Sequence, residues 1–274
     1  VTGMPVEKAP GGETGPEMPA QNRQFEEDQG KALPNVLPGT VLPAYLHQDT
    51  VSHSWHQCMT RLLVYDANNL RRLRAPYAVH CSGPNSIPEG RNLAAQTMLD
   101  GDSRAEWLWF IDTDMGFPAD VVDQLVRAAL AEGPCVVGAL CFAFKNVAPD
   151  GYGGYRTTPV PTIFGLNQDQ DGHIGFGNRW EYPPDTLLRV AGTGAACLLI
   201  HRQVLVDIRE KFGDQWFNLA QYGDGRVVSE DLSFCWRVAQ VNRPVFVHTG
   251  VKTTHHKSIW VGEELYRNPT KKGE

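Results

Sequence analysis

From Val36 onward, short apolar runs alternate with stretches in which apolar residues recur every three or four positions. Strands and helices alternate in this way in an α/β sandwich with a mostly parallel sheet. The pattern predicts a strand over Thr40–Leu46, then a helix whose inner face carries Val51, Trp55, Met59, Leu62 and Leu63. A strand over Tyr77–Cys81 follows. Ser86-Ile87-Pro88-Glu89 has the form of a capping box opening a helix to about Leu99. Glu106 to Ile111, aromatic and nearly all apolar, predicts a central strand buried on both faces. Pro118 opens a helix with Val122, Leu125, Val126 and Ala129 inward and Gly133 at its end, and Pro134–Phe142 reads as the next strand. The later elements are a strand at Ala195–His201, an amphipathic helix through Val204, Leu205, Ile208 and Phe212, a helix from Ser229 to Gln240, and strands near Val245–Thr254.

Two segments depart from this rhythm. Residues 1–36, rich in Pro, Gly, Glu and Gln, cannot offset their ordering entropy by burial and read as a tail or a loosely docked arm. Residues 145–187, with Gly151-Tyr152-Gly153-Gly154-Tyr155 and Tyr182-Pro183-Pro184, read as a long functional loop, a lid or acceptor-side insertion in one domain spanning 37–274.

Composition narrows the picture in three ways. A chain of 274 residues, 42% hydrophobic, is long enough for one large α/β domain. A formal charge of -6 excludes a general basic field for nucleic acid. No apolar run reaches the roughly 18 residues of a membrane span and the start lacks a secretory pattern, so no membrane partner and a cytoplasmic location are expected. The six scattered cysteines, without a C-x-x-C, read as reduced core residues.

The chemistry concentrates after the central strand. Asp112 and Asp114 lie two apart at its exit, so in extended backbone both carboxylates leave on one side and converge. Ligands of open α/β sheets bind outside the carboxyl ends of strands, and paired carboxylates there suit Mg2+ or Mn2+ whose other ligands are waters and phosphate oxygens. A plain turn role for Asp112 is the competing reading. Gly192-Thr193-Gly194 before an apolar strand lets backbone approach a ligand closely, or forms a tight turn. Glu230 and Asp231 open a helix, where the macrodipole favours their ionised forms.

Four segments in order carry a family resemblance: Glu89-Gly90-Arg91-Asn92, Trp109 to Asp114, Gly192 to Ile200, and Ser229 to Cys235. Together they resemble the GT-A glycosyltransferases, nearest to inverting family 2 and its phage-encoded relatives. The resemblance implies a GT-A, Rossmann-like three-layer sandwich that moves a sugar, from UDP by expectation, to a hydroxyl acceptor. It implies that Asp112 contacts the nucleoside and Asp114 binds Mn2+ or Mg2+, with Asp112 a further candidate ligand and Thr113 between them on the donor turn. Arg91 and Asn92 would lie near the nucleobase and diphosphate, Pro43 to Tyr45 would line the nucleoside pocket, and Gly192, Thr193 and Gly194 would face the donor sugar. Asp231 matches the general base, with Glu230 the alternative. His255 best matches a metal-binding histidine after the final strand, His248 and His256 being the other candidates, and Lys257 and Ser258 would meet the leaving diphosphate. Relatives transfer sugars to proteins, hydroxymethylated DNA bases or glycans, and a phage-encoded enzyme would act in the host cytoplasm.

Two other readings compete. Phe110-Ile111-Asp112-Thr113-Asp114 also resembles the opening motif of haloacid-dehalogenase-like phosphatases, but Gly116 departs from that pattern and no later G-D-x-x-x-D appears. A noncatalytic carbohydrate-binding module on the same fold is the third.

Overall fold

The computed structural model describes residues 36–83, 86–101, 104–149, 155–168, 174–221 and 227–257. The expected tail therefore lies outside the described residues apart from Val36, as do Gly151 to Gly154 and Ser258.

Seven strands form the central sheet: β1 (Leu37–His47), β2 (Tyr77–His80), β3 (Ala105–Ile111), β4 (Val136–Leu140), β5 (Leu187–Val190), β6 (Cys197–His201) and β7 (Val245–Lys252). Their order is β5-β7-β4-β6-β3-β1-β2. Only β5 and β6 run against the other five, so the sheet is mixed and mostly parallel. Helices α1 (His53–Asn69), α2 (Ser86–Asp100), α3 (Val121–Ala129), α4 (Arg202–Phe212) and α5 (Glu230–Gln240) cover its two faces.

Strand parity sorts the core into two layers. On β3, Trp107, Trp109 and Ile111 pack with Trp55, Met59 and Leu62 of α1 and Val122, Leu125 and Val126 of α3. Leu108 and Phe110 point the other way, against Ala94 and Met98 of α2, Leu205 and Ile208 of α4 and Phe234 of α5. Burial of such a side chain is worth about 1.5–3 kcal/mol. A strand with both faces covered must be apolar throughout, which is why Trp107 to Ile111 carries no charge.

The structure corrects several local expectations. Val51 and Leu63 are exposed, and Asp66 takes the buried place on α1 because its carboxylate accepts the Arg72 and Leu73 amides. Ser86 does not cap from outside: it is the first helical residue, and its hydroxyl donates to Gly83 O at 2.8 Å. The segment 145–187 is not one irregular loop. Phe142–Pro149 pairs with Tyr155–Pro161 as a hairpin, and Ile163–Gln168 pairs with both Ile174–Asn178 and Gly192–Thr193. Frequent Gly and Pro mask the strand periodicity there, while cross-strand ladders supply the backbone partners.

All six cysteines are free thiols, five of them buried. Among the described residues no helix is long and apolar enough to cross a membrane.

Candidate functional site

A cleft of about 800 Å³ opens at the carboxyl ends of β1 and β3. Its floor is the turn Asp112-Thr113-Asp114, fastened on several sides. The Asp112 amide donates to Ala196 O before β6, and Thr113 O accepts from the Ser52 amide, each at 2.9 Å. Beyond the turn, Met115–Gly116 pairs antiparallel with Thr254–His255, and the His256 amide donates to Asp114 O at 2.8 Å. Gly116 permits this approach, because a methyl group there would collide with Thr254 Oγ1.

The strand stops at Ile111, so the aspartates do not leave an extended backbone side by side as the sequence suggested. Each carboxylate has its own partners. Asp112 Oδ1 accepts from Arg91 Nη2 at 3.4 Å, and desolvation raises its pKa against the pull of Arg91. Asp114 Oδ2 faces His255 Nε2 at 3.0 Å and Lys257 Nζ at 2.8 Å. Burial pushes Asp114 upward, but the hydrogen bonds from His255 and Lys257 outweigh it and hold the carboxyl at about 2. His255 is raised, chiefly by its hydrogen bond with Asp114.

His255 Nδ1 lies 2.9 Å from Phe142 O. A carbonyl only accepts, so Nδ1 carries the proton and Nε2 is turned toward Asp114, as in many metal-binding histidines. An imidazole lone pair and a carboxylate oxygen at 3.0 Å repel unless a proton or a cation lies between them. A proton on Nε2 makes this the hydrogen bond that raises His255; with that proton gone, the two atoms are placed to serve a divalent ion as two protein ligands, leaving the remaining positions to other oxygens. Among the described residues no group of three or more His, Cys, Asp or Glu side chains is arranged to hold a metal.

Arg91 is not a surface residue, although it contributes to the cleft wall. Its guanidinium is buried, donates to Glu230 Oε1 at 2.7 Å, reaches Asp112, and lies over the Phe217 ring. One cation thus joins α2, the β3 exit and the start of α5. Burial raises Glu230, with Arg91 opposing. Asp231 differs from its neighbour. Its Oδ1 accepts the Leu232 amide and the Ser229 hydroxyl, and its Oδ2 faces Gly194 across the cleft, 3.5 Å from where a methyl on that glycine would stand.

Of the residues singled out in the sequence, Arg91, Asp112, Thr113, Asp114, Gly194, Glu230, Asp231, His255, His256 and Lys257 line one cleft. Pro43, Tyr45, Asn92, Gly192 and Thr193 do not. Pro43 is buried opposite Trp109 within the sheet, and Tyr45 packs on Trp55 with ring centroids 4.8 Å apart. Asn92 accepts the Phe217 amide and donates to Asn218, both at 2.8 Å. Gly192 is backed by Leu232 and Phe176, and the buried Thr193 donates to Thr162 O. His248 is a sheet residue opposite Leu187 and does not line the cleft. The sequence reading missed His47, Gln48, Ser52, Ser86 and Thr162 on the cleft wall. β1 runs on to His47, past the expected Leu46, and the polar run after it is the signal that its open end lies there.

No protein-family model matches the sequence, and comparison with curated proteins likewise gives no match. Solved structures do resemble the chain. The crystal structure of A197 from STIV is 18% identical with a TM-score of 0.48, over 80% of this chain and 86% of that one. The crystal structure of GalNAc-T7 with UDP, GalNAc and Mn2+ is 8% identical with a TM-score of 0.51, over 80% of this chain and 43% of that one, so the match takes in less than half of GalNAc-T7. At this identity the likeness is one of fold. The chain has a GT-A-like α/β fold, with a mostly parallel sheet between helical layers.

Proposed function

We propose that the protein is a cation-assisted, inverting glycosyltransferase that moves a sugar from a nucleotide-sugar, a UDP-sugar, to a hydroxyl acceptor on a protein, a glycan or a hydroxymethylated DNA base. The observation that carries this reading is the facing of Asp114 and His255 at a strand end, in the cleft that also holds Asp231 with one carboxylate oxygen turned inward. The UDP and Mn2+ in the GalNAc-T7 crystal structure are in keeping with it.

Asp114 and His255 would hold Mn2+ or Mg2+, with Asp112 adding negative charge nearby; the ion would supply neutralisation of the departing diphosphate. Asp231 Oδ2 accepts the proton of the acceptor hydroxyl as that oxygen bonds to the anomeric carbon. The bond from that carbon to the phosphate oxygen breaks on the opposite face, the electron pair leaves with the nucleotide, and the sugar is inverted. Between the two acids, Glu230 is committed to Arg91 at 2.7 Å, which favours Asp231 as the base.

Incubation with a panel of nucleotide-sugars and Mn2+ or Mg2+, followed by mass spectrometry of candidate acceptors, tests the reaction. Asp231→Asn is expected to keep UDP binding by calorimetry and to lose at least about 10²-fold in turnover. Asp114→Ala is expected to lose cation-dependent UDP binding. Unchanged binding in Asp114→Ala defeats the proposal.

A further inference from the structure

One carboxylate oxygen in the cleft serves two cations. Asp114 Oδ2 lies 3.0 Å from His255 Nε2 and 2.8 Å from Lys257 Nζ. The backbone carrying Lys257 is pinned to the donor turn, since the neighbouring His256 amide donates to Asp114 O. The side chain itself is 40% exposed, with room to swing on its flexible stem. An ammonium cannot remain on the oxygen that ligates a divalent ion without placing like charges a few ångströms apart.

Resting on the functional reading above, we infer that Lys257 is a resident counter-ion of Asp114 that a divalent cation and a nucleoside diphosphate displace together, the ammonium passing from carboxylate to phosphate. A divalent ion arriving alone has to evict Lys257, leaving it without an acceptor beside a new positive charge. Diphosphate supplies that acceptor. Each ligand therefore assists the other, by an equal factor in both directions. The sequence marked Lys257 only as a contact for the leaving group. The geometry gives it an earlier role, holding the empty site shut against stray divalent ions.

Mn2+ binding followed by the paramagnetic resonance signal of the free ion, with and without UDP, tests this on the full chain carrying Lys257→Met or Lys257→Arg. An exposed ion pair sets the scale, so Lys257→Met is expected to bind Mn2+ alone about two- to fivefold more tightly than wild type. The same variant binds UDP more weakly when Mn2+ is present, and Lys257→Arg behaves as wild type. Mn2+ affinity in Lys257→Met that is equal to or weaker than wild type overturns the inference. Tighter Mn2+ binding with unchanged UDP affinity overturns the transfer to phosphate. If wild type shows no saturable Mn2+ binding even with UDP, the functional reading falls and takes this inference with it. Intact Mn2+ and UDP binding that ignores residue 257 removes the exchange alone.

Discussion

Replacing Arg91 by Met tests the cleft where its cost is calculable. The guanidinium side chain is 6% exposed and its partner Glu230 18%, at 2.7 Å. Removing one member of a buried, hydrogen-bonded ion pair costs about 3–5 kcal/mol, because the other charge is left without compensation. Loss of the cation over the Phe217 ring adds about 0.5–1 kcal/mol, part of which the Met side chain recovers by packing. Protonation limits the penalty. Burial already raises Glu230 above its ordinary value, and without Arg91 it rises further. A carboxyl raised in the folded state contributes stability that is full below its unfolded pKa and lost as pH climbs through the folded one. The variant's deficit is therefore larger at pH 7 than at pH 5. We expect a loss of about 3 kcal/mol at pH 7, or about 6–12 °C in Tm for a domain of this size. Urea denaturation at both pH values, with unchanged m, measures it, and Arg91→Met combined with Glu230→Gln should recover at least half. A loss below about 1 kcal/mol at pH 7, or no recovery in the double variant, would refute the ion-pair argument.

Two further expectations follow from the geometry. Gly194→Ala places its methyl at ordinary contact distance, 3.5 Å from Asp231 Oδ2, so stability should hold while transfer falls about tenfold or more; equal activity would mean the acceptor does not approach there. Glu106 is pushed upward by desolvation, but His201, the Gly39 amide at 2.6 Å and the Trp107 indole N–H at 3.0 Å outweigh this and lower its pKa. A lowered carboxyl stabilises the fold above its unfolded pKa near ~4.3 and loses that contribution as pH falls through the folded value. The Tm gap between wild type and Glu106→Gln should therefore close as pH falls below about 4.3; a constant gap would contradict the linkage.

The elements the sequence declared are those whose burial follows a local period. Trp107 to Ile111 had to be a central strand, and Val122, Leu125, Val126 and Ala129 had to share a helix face. Candidate acids were legible wherever they stand at an element boundary, as Asp112, Asp114, Glu230 and Asp231 do. What stayed hidden depends on partners distant in the chain. Arg91 meets Glu230 across 139 residues and Asn92 meets Asn218 across 126, so no local spacing could tell a strut from a surface charge. Pro43 and Tyr45 were placed at the ligand by the family resemblance, whereas β1 runs past them to His47, so the strand end that reaches the cleft lies further along the chain. The accessory strands between Phe142 and Asn178 escaped notice because antiparallel ladders, rather than apolar alternation, define them.

β6 lies between β3 and β4 although the chain makes it after both. On a ribosome, two apolar strands thus emerge with the slot between them vacant, and their inner edges stay bare until Cys197 to His201 has been synthesised. Bare apolar edges invite pairing with other chains, so this order of manufacture leaves β3 and β4 exposed to wrong pairing until β6 is made. The amides facing that slot gain exchange protection only when β6 inserts, which ties completion of the cleft floor, through Ala196 O on Asp112, to the arrival of that strand.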